Sequence, residues 1–351
     1  MKLTQETHTF ELLTPAWAGG ATPEASAEIR VSTLRGHLRL WLRLLYPDQQ
    51  LDEAIFGSVA DGNGASASLV QLRLVKAVTT AQAHDLASYT GLSEKDAVHH
   101  PEGYFLWPLR TQKRGVLMSG SASSFAVEVR WFPRPGSAPA RREDRPTALK
   151  NAITAFSILG TFGTRATRGY GSVWKPELVF ASAANLSSAL AFLPADITVR
   201  MHDGEYDSGR QALAAAANWM RGHRVGSARF GAVSDAGEND HDVADPMQPA
   251  QPNARLQRHA LGMPLTQRFR RGLDVTNVQS RYRNAGVDTD RYPSPVRIKI
   301  IKLAGRYRVV IVILRRLLLK EGTDIYLSNR RTAKLSHDLI RIIATEGMAI
   351  H

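Results

Sequence analysis

Three arginines on one predicted helix have the spacing needed to bind a polyanion. Ser32 can cap a helix that runs to about Tyr46, and Arg35, Arg39 and Arg43 recur within it every four residues. This spacing places their guanidiniums on one helical face, where three like charges cost helix stability. A bound polyanion would remove that cost. The alternative is a solvated face that forms salt bridges to acids elsewhere.

A glycine-rich segment, residues 160–172, carries two more arginines and a tyrosine. Its glycines let the backbone turn sharply and approach a ligand closely, and they are Gly160, Gly163, Gly169 and Gly171. Arg165 and Arg168 would place cationic forks beside exposed N–H groups, which suits phosphates, and Tyr170 offers a stacking face. The segment follows a helix and enters a strand, and no Gly-Lys-Ser/Thr follows it. It is therefore neither a P-loop nor a dinucleotide fingerprint, and its alternative is a plain turn.

A third basic stretch, residues 268–292, mixes arginines with aromatic rings such as Phe269 and Tyr282. Arginine pairs with phosphates and rings stack on bases in complexes with single-stranded nucleic acid. The sequence therefore predicts RNA contacts from Arg270, Arg271, Arg281 and Arg283. The alternative is a solvated basic loop that docks an acidic protein.

Candidates for catalysis are few. His37 lies among the arginines of the first predicted helix, where it could act as a general base on RNA, but a surface role is favoured. The chain has no cysteine, which excludes a disulfide scaffold, a thiolate zinc site and a Cys nucleophile. His99 and His100 lack acidic neighbours with ligand spacing. We therefore expect no catalytic residue, no metal and no cofactor.

The net charge of the chain is concentrated in one part. Residues 1–250 carry 25 basic and 25 acidic residues, whereas residues 251–351 carry 20 and 7, so the excess of 13 lies in the last 101 residues. Such a charge block indicates a partner class: nucleic acid, an acidic protein surface or anionic lipid. The N-terminus is polar and the longest aliphatic run is short, so we expect a cytoplasmic protein without a membrane partner.

The 351-residue length predicts two domains. Over residues 5–180, hydrophobic periodicity predicts the order β-α-β-β-α-β, with strands at 7–13, 69–76, 125–131 and 173–180 and helices at 32–46 and 148–159. Beyond them, strands at 197–201, 295–303 and 306–314 and helices at 210–221 and 332–344 indicate a second such unit, without a visible final strand. The expected fold is α+β, with two ferredoxin-like (RRM-like) domains and long insertions. The predicted domains are 1–180 and 181–351, the second with a mobile insertion around 222–292.

Several segments together resemble one family. They are Phe10-Glu-Leu-Leu-Thr-Pro-Ala-Trp-Ala-Gly-Gly20, Ile29-Arg-Val-Ser-Thr-Leu-Arg-Gly-His-Leu-Arg-Leu-Trp-Leu-Arg43, Ala54-Ile-Phe-Gly-Ser58 and the glycine-rich segment at 160–172. In this order they resemble the RAMP superfamily of CRISPR proteins, and most closely the Cmr subunit one of type III-B effector complexes. The resemblance covers about residues 8–180.

This resemblance implies two ferredoxin-like domains and a non-catalytic subunit at one end of a crRNA-guided complex. Such subunits contact the crRNA 3′ region and target RNA, and they bind other effector subunits. The family's glycine-rich loop corresponds here to residues 160–171, and its basic helix carries Arg35, Arg39 and Arg43. Two alternatives remain: a RAMP-type endoribonuclease with His37 as general base, and an architectural subunit whose basic face docks neighbouring proteins.

Overall fold

The fold was obtained as a computed structural model of the full chain. It describes residues 4–47, 50–58, 65–80, 82–132, 144–225, 236–249, 251, 253–262, 266–271, 274–284, 287–289 and 292–351. The helices in these residues are α1 Val31–Leu45, α2 Leu51–Phe56, α3 Leu86–Thr90, α4 Glu94–His99, α5 Pro101–Leu106, α6 Asp144–Leu159, α7 Ala183–Ala189, α8 Gly209–Val225, α9 Ala236–Ala244 and α10 Asp338–Thr345.

The strands of the same residues form three larger sheets and two short pairs. They are β1 Thr4–Leu12, β2 Ala27–Glu28, β3 Val70–Lys76, β4 Thr79–Thr80, β5 Ala83–His84, β6 Arg114–Gly115, β7 Gly120–Trp131, β8 Val173–Trp174, β9 Ile197–Met201, β10 Arg255–Leu256, β11 Thr266–Arg271, β12 Asp274–Asn284, β13 Val287–Thr289, β14 Val296–Leu303, β15 Arg306–Leu314, β16 Asp324–Leu327, β17 Thr332–Leu335 and β18 Met348–Ala349. The predicted α+β class is confirmed.

The first sheet has the strand order β3-β7-β1-β8 and is antiparallel throughout. Helix α1 follows β1, and helix α6 lies between β7 and β8, so the chain passes through the predicted order β-α-β-β-α-β. Helix α1 forms because Leu34, Leu38 and Trp41 recur at helical spacing, and these three side chains are buried. The helix begins one residue before the predicted cap, with Arg30 at its N-cap position.

A second four-stranded sheet has the order β14-β15-β9-β18. Its chain order is strand β9, helix α8, the hairpin β14–β15, helix α10 and strand β18. The predicted hairpin is present, with its turn at Ala304 and Gly305. The final strand that the sequence did not reveal is only two residues long, Met348–Ala349, and pairs with β9.

A third sheet is built from the long segments on either side of that hairpin. Strands β10, β17, β16, β12 and β11 neighbour one another in this order, and β13 pairs with β12. The insertion predicted around residues 222–292 contains the end of α8, all of α9 and strands β10 to β13. The helix predicted over 332–344 is strand β17 followed by α10. Strand β8 ends at Trp174, well before the predicted end at residue 180.

The glycine-rich segment joins the first two sheets. The Ile298 N–H of β14 donates to the Thr167 carbonyl over 3.1 Å, and the Ile300 N–H donates to Ser172 Oγ over 3.0 Å. Lys299, fully buried between them, donates from Nζ to the carbonyls of Gly160 (2.6 Å) and Val173. Burial lowers the pKa of this lysine well below its ordinary value. These contacts hold residues 160–173 rigidly between the two sheets.

Candidate nucleic-acid interface

The glycine-rich segment uses its backbone polar groups within the protein. The N–H of Gly171 donates to the Pro15 carbonyl over 2.8 Å, and the N–H of Thr164 donates to the Trp17 carbonyl over 2.7 Å. Gly171 has φ +64°, and a Cβ there would lie 2.1 Å from the Phe162 oxygen, so only glycine fits. Gly163 has φ +88° and would bring a Cβ within 2.8 Å of the Trp17 oxygen.

The glycines therefore pack closely against other parts of the protein. At Gly160 a Cβ would meet Phe156, and at Gly169 it would meet Leu213 and Ile298. The expectation that exposed N–H groups of these glycines contact a phosphate is wrong for Gly169 and Gly171, whose N–H groups donate to carbonyls of the chain. The glycines instead determine how the arginine side chains of the loop are presented.

Tyr170 is completely buried. Its hydroxyl donates to Glu102 Oε1 over 3.2 Å, and burial beside this carboxylate raises the tyrosine pKa well above its ordinary value. The predicted stacking of a base on Tyr170 is wrong, because its ring has no open face in this structure.

Glu102 anchors this region although it is itself fully buried. Besides Tyr170, it accepts from the Tyr89 hydroxyl over 3.1 Å and from Arg210 Nε over 3.0 Å. Arg210 belongs to α8, so the carboxylate connects helix α5 to the glycine-rich segment and to the second half of the chain. A buried carboxylate with this many donors is satisfied and fixes the position of α5.

Four arginines converge on a cavity beside this network, which we call the arginine pocket. Arg165 and Arg168 come from the glycine-rich segment, Arg224 from the end of α8, and Arg258 from the 3₁₀ turn that it begins. The cavity is about 420 Å³. No acidic side chain lines it among the described residues. It therefore has the electrostatics of an anion site.

Aromatic rings form the remaining wall of the arginine pocket. Tyr104 and Phe105 lie on α5, and Trp107 follows directly, half exposed at 52 %. The Arg168 guanidinium lies 6.0 Å from the centroid of the Phe105 ring. An exposed tryptophan next to a cluster of guanidiniums is a combination that nucleic-acid sites use, with charge for phosphates and rings for bases.

Three guanidiniums of the arginine pocket, those of Arg165, Arg168 and Arg258, are desolvated and incompletely paired. Burial, and then the neighbouring charge of Arg224, lower the pKa of Arg168 to about 9, and the same causes lower the pKa of Arg165. Arg168 Nη1, Arg165 Nε and Arg258 Nη2 are buried without a hydrogen-bond partner among the residues described. Buried donors of this kind are costly, and a bound anion would satisfy them.

Asp240 of helix α9 holds Arg258 in place from outside the cavity. Its carboxylate accepts the backbone N–H groups of Gln257 (2.8 Å) and Arg258 (2.9 Å) at the start of the 3₁₀ turn. Its Oδ2 also lies 3.5 Å from Arg258 Nε. Burial lowers the Arg258 pKa and Asp240 opposes that shift. One side of the Arg258 guanidinium is thus fixed, while Nη2 is buried without a hydrogen-bond partner among the described residues.

The arginine stripe on α1 is largely engaged within the protein. Arg43 Nε donates to the buried carboxylate of Asp52 over 2.7 Å, and Arg39 Nε lies 3.5 Å from the same oxygen. Arg39 Nη2 also donates to the Gly57 carbonyl over 2.7 Å. Arg35 Nε is buried and lacks a hydrogen-bond partner in the described part of the chain. Arg39 and Arg43 therefore form salt bridges within the protein, as the alternative interpretation of this helix face expects.

Separate substitutions test this division of roles on α1. Arg39→Gln removes a bond to a carbonyl and leaves Asp52 less compensated, so we expect it to lower the unfolding free energy by about 1–3 kcal/mol. Arg43→Gln, at a side chain 62 % exposed, should cost less than about 1 kcal/mol. Urea unfolding of both variants measures this difference. Equal costs would show that Arg39 is no more structural than Arg43.

The His37 side chain is half-buried and packs against helix α6. Its ring is stacked on Phe156, with 5.5 Å between centroids, and Arg297 of β14 lies nearby. Burial, and then the charge of Arg297, lower the His37 pKa to about 4. A histidine with this pKa is neutral near pH 7 and is a weak proton acceptor.

The basic residues of the third motif lie on two strands. Arg270 and Arg271 are in β11, and Arg281 and Arg283 are in β12. Arg281 is exposed, whereas the side chains of the other three lie outside the described part of the structure. Tyr282 is buried and packs edge-to-face on Tyr292 at 5.7 Å, so the expected base stacking on Tyr282 is wrong.

The structure thus unites Arg165 and Arg168 with five residues that the sequence did not single out, Tyr104, Phe105, Trp107, Arg224 and Arg258. The mix of arginine with aromatic residues was a usable signal, but these five are scattered along the chain. Among the described residues, no helix is long and apolar enough to cross a membrane, and no cluster of His, Asp and Glu has the form of a metal site.

Comparison with known proteins identifies similar sequences and structures. Residues 9–174 match the family model of the RAMP superfamily. No curated protein matches the sequence. The crystal structure of apo Cmr1 from Pyrococcus furiosus aligns with a TM-score of 0.53 at 14 % identity, covering 92 % of this chain and 89 % of that one.

Two cryo-EM structures of the type III-B Cmr-beta complex also contain similar chains. One, bound to cognate target RNA, aligns with a TM-score of 0.51 at 11 % identity and covers 98 % of each chain. The other, bound to target RNA and AMPPnP, aligns with a TM-score of 0.50 at 11 % identity and covers 96 % of this chain and 97 % of that one. The resemblance predicted from the sequence is confirmed by the match of residues 9–174 to the RAMP superfamily model, and the chain as a whole has the fold of Cmr1.

Proposed function

We propose that this chain is a non-catalytic RNA-binding subunit of a type III-B CRISPR effector complex, in contact with the crRNA 3′ region and target RNA. The observation that carries the proposal is the arginine pocket, whose buried guanidiniums lack acidic partners among the lining residues. The similarity in fold to Cmr1 and to chains of an RNA-bound Cmr-beta complex supports the type of assembly. The partners are then crRNA, target RNA and the neighbouring effector subunits.

Two ferredoxin-like units form the scaffold in this proposal. The strand orders β3-β7-β1-β8 and β14-β15-β9-β18 both place the first strand of a unit between its third and fourth. Each unit also has one helix after its first strand and one before its last. The arginine pocket receives residues from both units.

The test of this role is assembly. When the chain is co-expressed with the other subunits of a type III-B effector and a guide RNA, we expect it to co-purify with them and with RNA of defined length. The Arg73→Gln variant, exposed on edge strand β3, serves as a matched control and should assemble equally. A complex that forms completely without this chain, or a chain that binds neither subunits nor RNA, would contradict the proposal.

The non-catalytic part of the proposal has its own test. Because His37 is packed on Phe156 and its pKa is about 4, we expect purified protein to leave repeat RNA intact in the absence of metal. His37→Ala should not change this result. Gel analysis of the RNA over several hours is sufficient. Cleavage that disappears in His37→Ala would instead establish the endoribonuclease alternative.

A further inference from the structure

The third sheet, built from β10 to β13, β16 and β17, has one buried face and one solvent face. Successive residues of a strand point to opposite faces, so burial along each strand separates the two. The buried face is formed by Leu256, Val278, Ser280, Tyr282, Ile325, Leu327, Ala333 and Leu335. The residues that alternate with them are mostly exposed, as Arg255, Arg281 and Lys334 are. These exposed side chains define a face that is open to solvent.

This open face is strongly basic, and we call it the basic sheet face. Strand register assigns six basic positions to it: Arg255, Arg268, Arg270, Arg281, Arg283 and Lys334. The paired strands bring two acidic positions to the same face, Asp288 and Asp324, and Asp324 forms an ion pair with Lys334 at 2.7 Å. The remaining excess of positive charge calls for a polyanionic partner. Arg271 belongs to the opposite face by the same register.

The composition of the basic sheet face favours a nucleic acid over a protein as that partner. Its apolar side chains among the described residues are Val275 and Tyr326, on different strands. Protein interfaces have an apolar centre that is depleted in charge, whereas nucleic-acid interfaces are more polar and much more positively charged. A face with several arginines and one aromatic ring is suited to phosphates, and phosphate contacts carry no sequence information.

The basic sheet face begins next to the arginine pocket. Strand β10 is the edge strand on this side and ends at Leu256, and Arg258 of the pocket follows two residues later. Three residues of extended chain span at most about 11 Å, so the Cα atoms of Arg255 and Arg258 lie within that distance. The strand path from β10 to β11 adds a width of about 19 Å at the usual strand spacing. One RNA strand can therefore contact both surfaces.

We propose that the basic sheet face is a second RNA-binding surface, which holds the phosphate backbone of a single-stranded segment that continues from the arginine pocket. This inference rests on the proposed RNA-binding function and adds a site outside the pocket. Arg255 and Arg281 are its central contacts, because both side chains are exposed on it and they lie on strands separated by two others.

The experiment compares oligouridine strands of about four and about twenty nucleotides, whose affinities for the full chain are measured by fluorescence anisotropy. The double variant Arg255→Gln with Arg281→Gln is expected to bind the longer strand about tenfold more weakly. Its slope of log affinity against log salt concentration should become shallower by about 1.4, which corresponds to two phosphate contacts. The shorter strand occupies the pocket alone, so its affinity should not change.

Two controls accompany the double variant. Arg73→Gln, at an exposed position of the first sheet, should leave the affinity for both strands unchanged. Urea unfolding of the double variant should match that of the wild type, because both substituted side chains are exposed.

The outcomes separate this inference from the proposed function. Unchanged affinity of the double variant for the longer strand would overturn the inference, as would a wild-type chain that binds both strands equally. If the double variant keeps its RNA affinity but no longer assembles with co-expressed effector subunits, the face docks an acidic protein and the assignment to RNA is wrong. A wild-type chain that binds neither strand would contradict the proposed function itself.

Discussion

Replacing Arg168 with methionine is expected to weaken RNA binding about ten- to hundredfold while leaving the fold at least as stable as in the wild type. The loss in affinity corresponds to the hydrogen bonds between a guanidinium and phosphate oxygens, each about 1.5–3 kcal/mol. We expect the variant to be at least as stable as the wild type because the Arg168 charge is desolvated beside Arg224. In addition, Arg168 Nη1 lacks a partner among the described residues. An apolar side chain of similar length removes that unfavourable charge.

A substitution that lowers RNA affinity without lowering stability indicates that the residue is retained for binding. RNA affinity by fluorescence anisotropy and the unfolding free energy by urea titration are the two measurements, with Arg73→Met as the control that should change neither. If Arg168→Met destabilises the protein by more than about 2 kcal/mol and leaves affinity unchanged, Arg168 is a structural residue and the pocket is not the site.

The Glu102→Ala variant is expected to lose about 3–5 kcal/mol of unfolding free energy, because it leaves Arg210 and two buried tyrosines without their shared acceptor. RNA binding should fall as well, since α5 carries Tyr104 and leads directly to Trp107. Urea unfolding and RNA affinity are again the measurements.

Two further substitutions isolate the cause of this loss. Glu102→Gln keeps an acceptor oxygen and should cost only about 1–3 kcal/mol. Glu94→Ala, exposed on the neighbouring helix α4, should stay within about 0.5 kcal/mol of the wild type. A Glu102→Ala variant as stable as Glu94→Ala would contradict the role assigned to the buried carboxylate.

Elements with strong periodicity were predictable from the sequence. Strand β1, helix α1 and the β14–β15 hairpin each combine a clear hydrophobic pattern with a turn signal, and all three lie where they were predicted within a few residues. Helices α3 and α4 were not predicted. These helices are five and six residues long, too short for a periodic pattern, and side-chain caps at Asp85 and Ser93 begin them.

The arginine pocket could be predicted only in part. Arg165 and Arg168 were recognisable because arginines inside a glycine-rich segment are unusual, but Arg224 ends an alanine-rich helix and Arg258 lies in a short turn. Their meeting depends on how β14 docks on the glycine-rich segment, a long-range contact that local pattern does not encode. The charge excess after residue 250 similarly indicated the class of partner, whereas three of the four pocket arginines lie before that residue.

The dependence of RNA affinity on salt concentration tests most directly whether the arginine pocket binds phosphate. For single-stranded RNA, each phosphate contact contributes about 0.7 to the slope of log affinity against log salt concentration. The slope for the wild-type chain should therefore become shallower by about 0.7 in Arg168→Met and by about 1.4 when Arg224→Gln is added, with Arg73→Gln unchanged. Equal slopes for the wild type and the double variant would contradict the account, because the pocket arginines would then displace no counterions from the RNA.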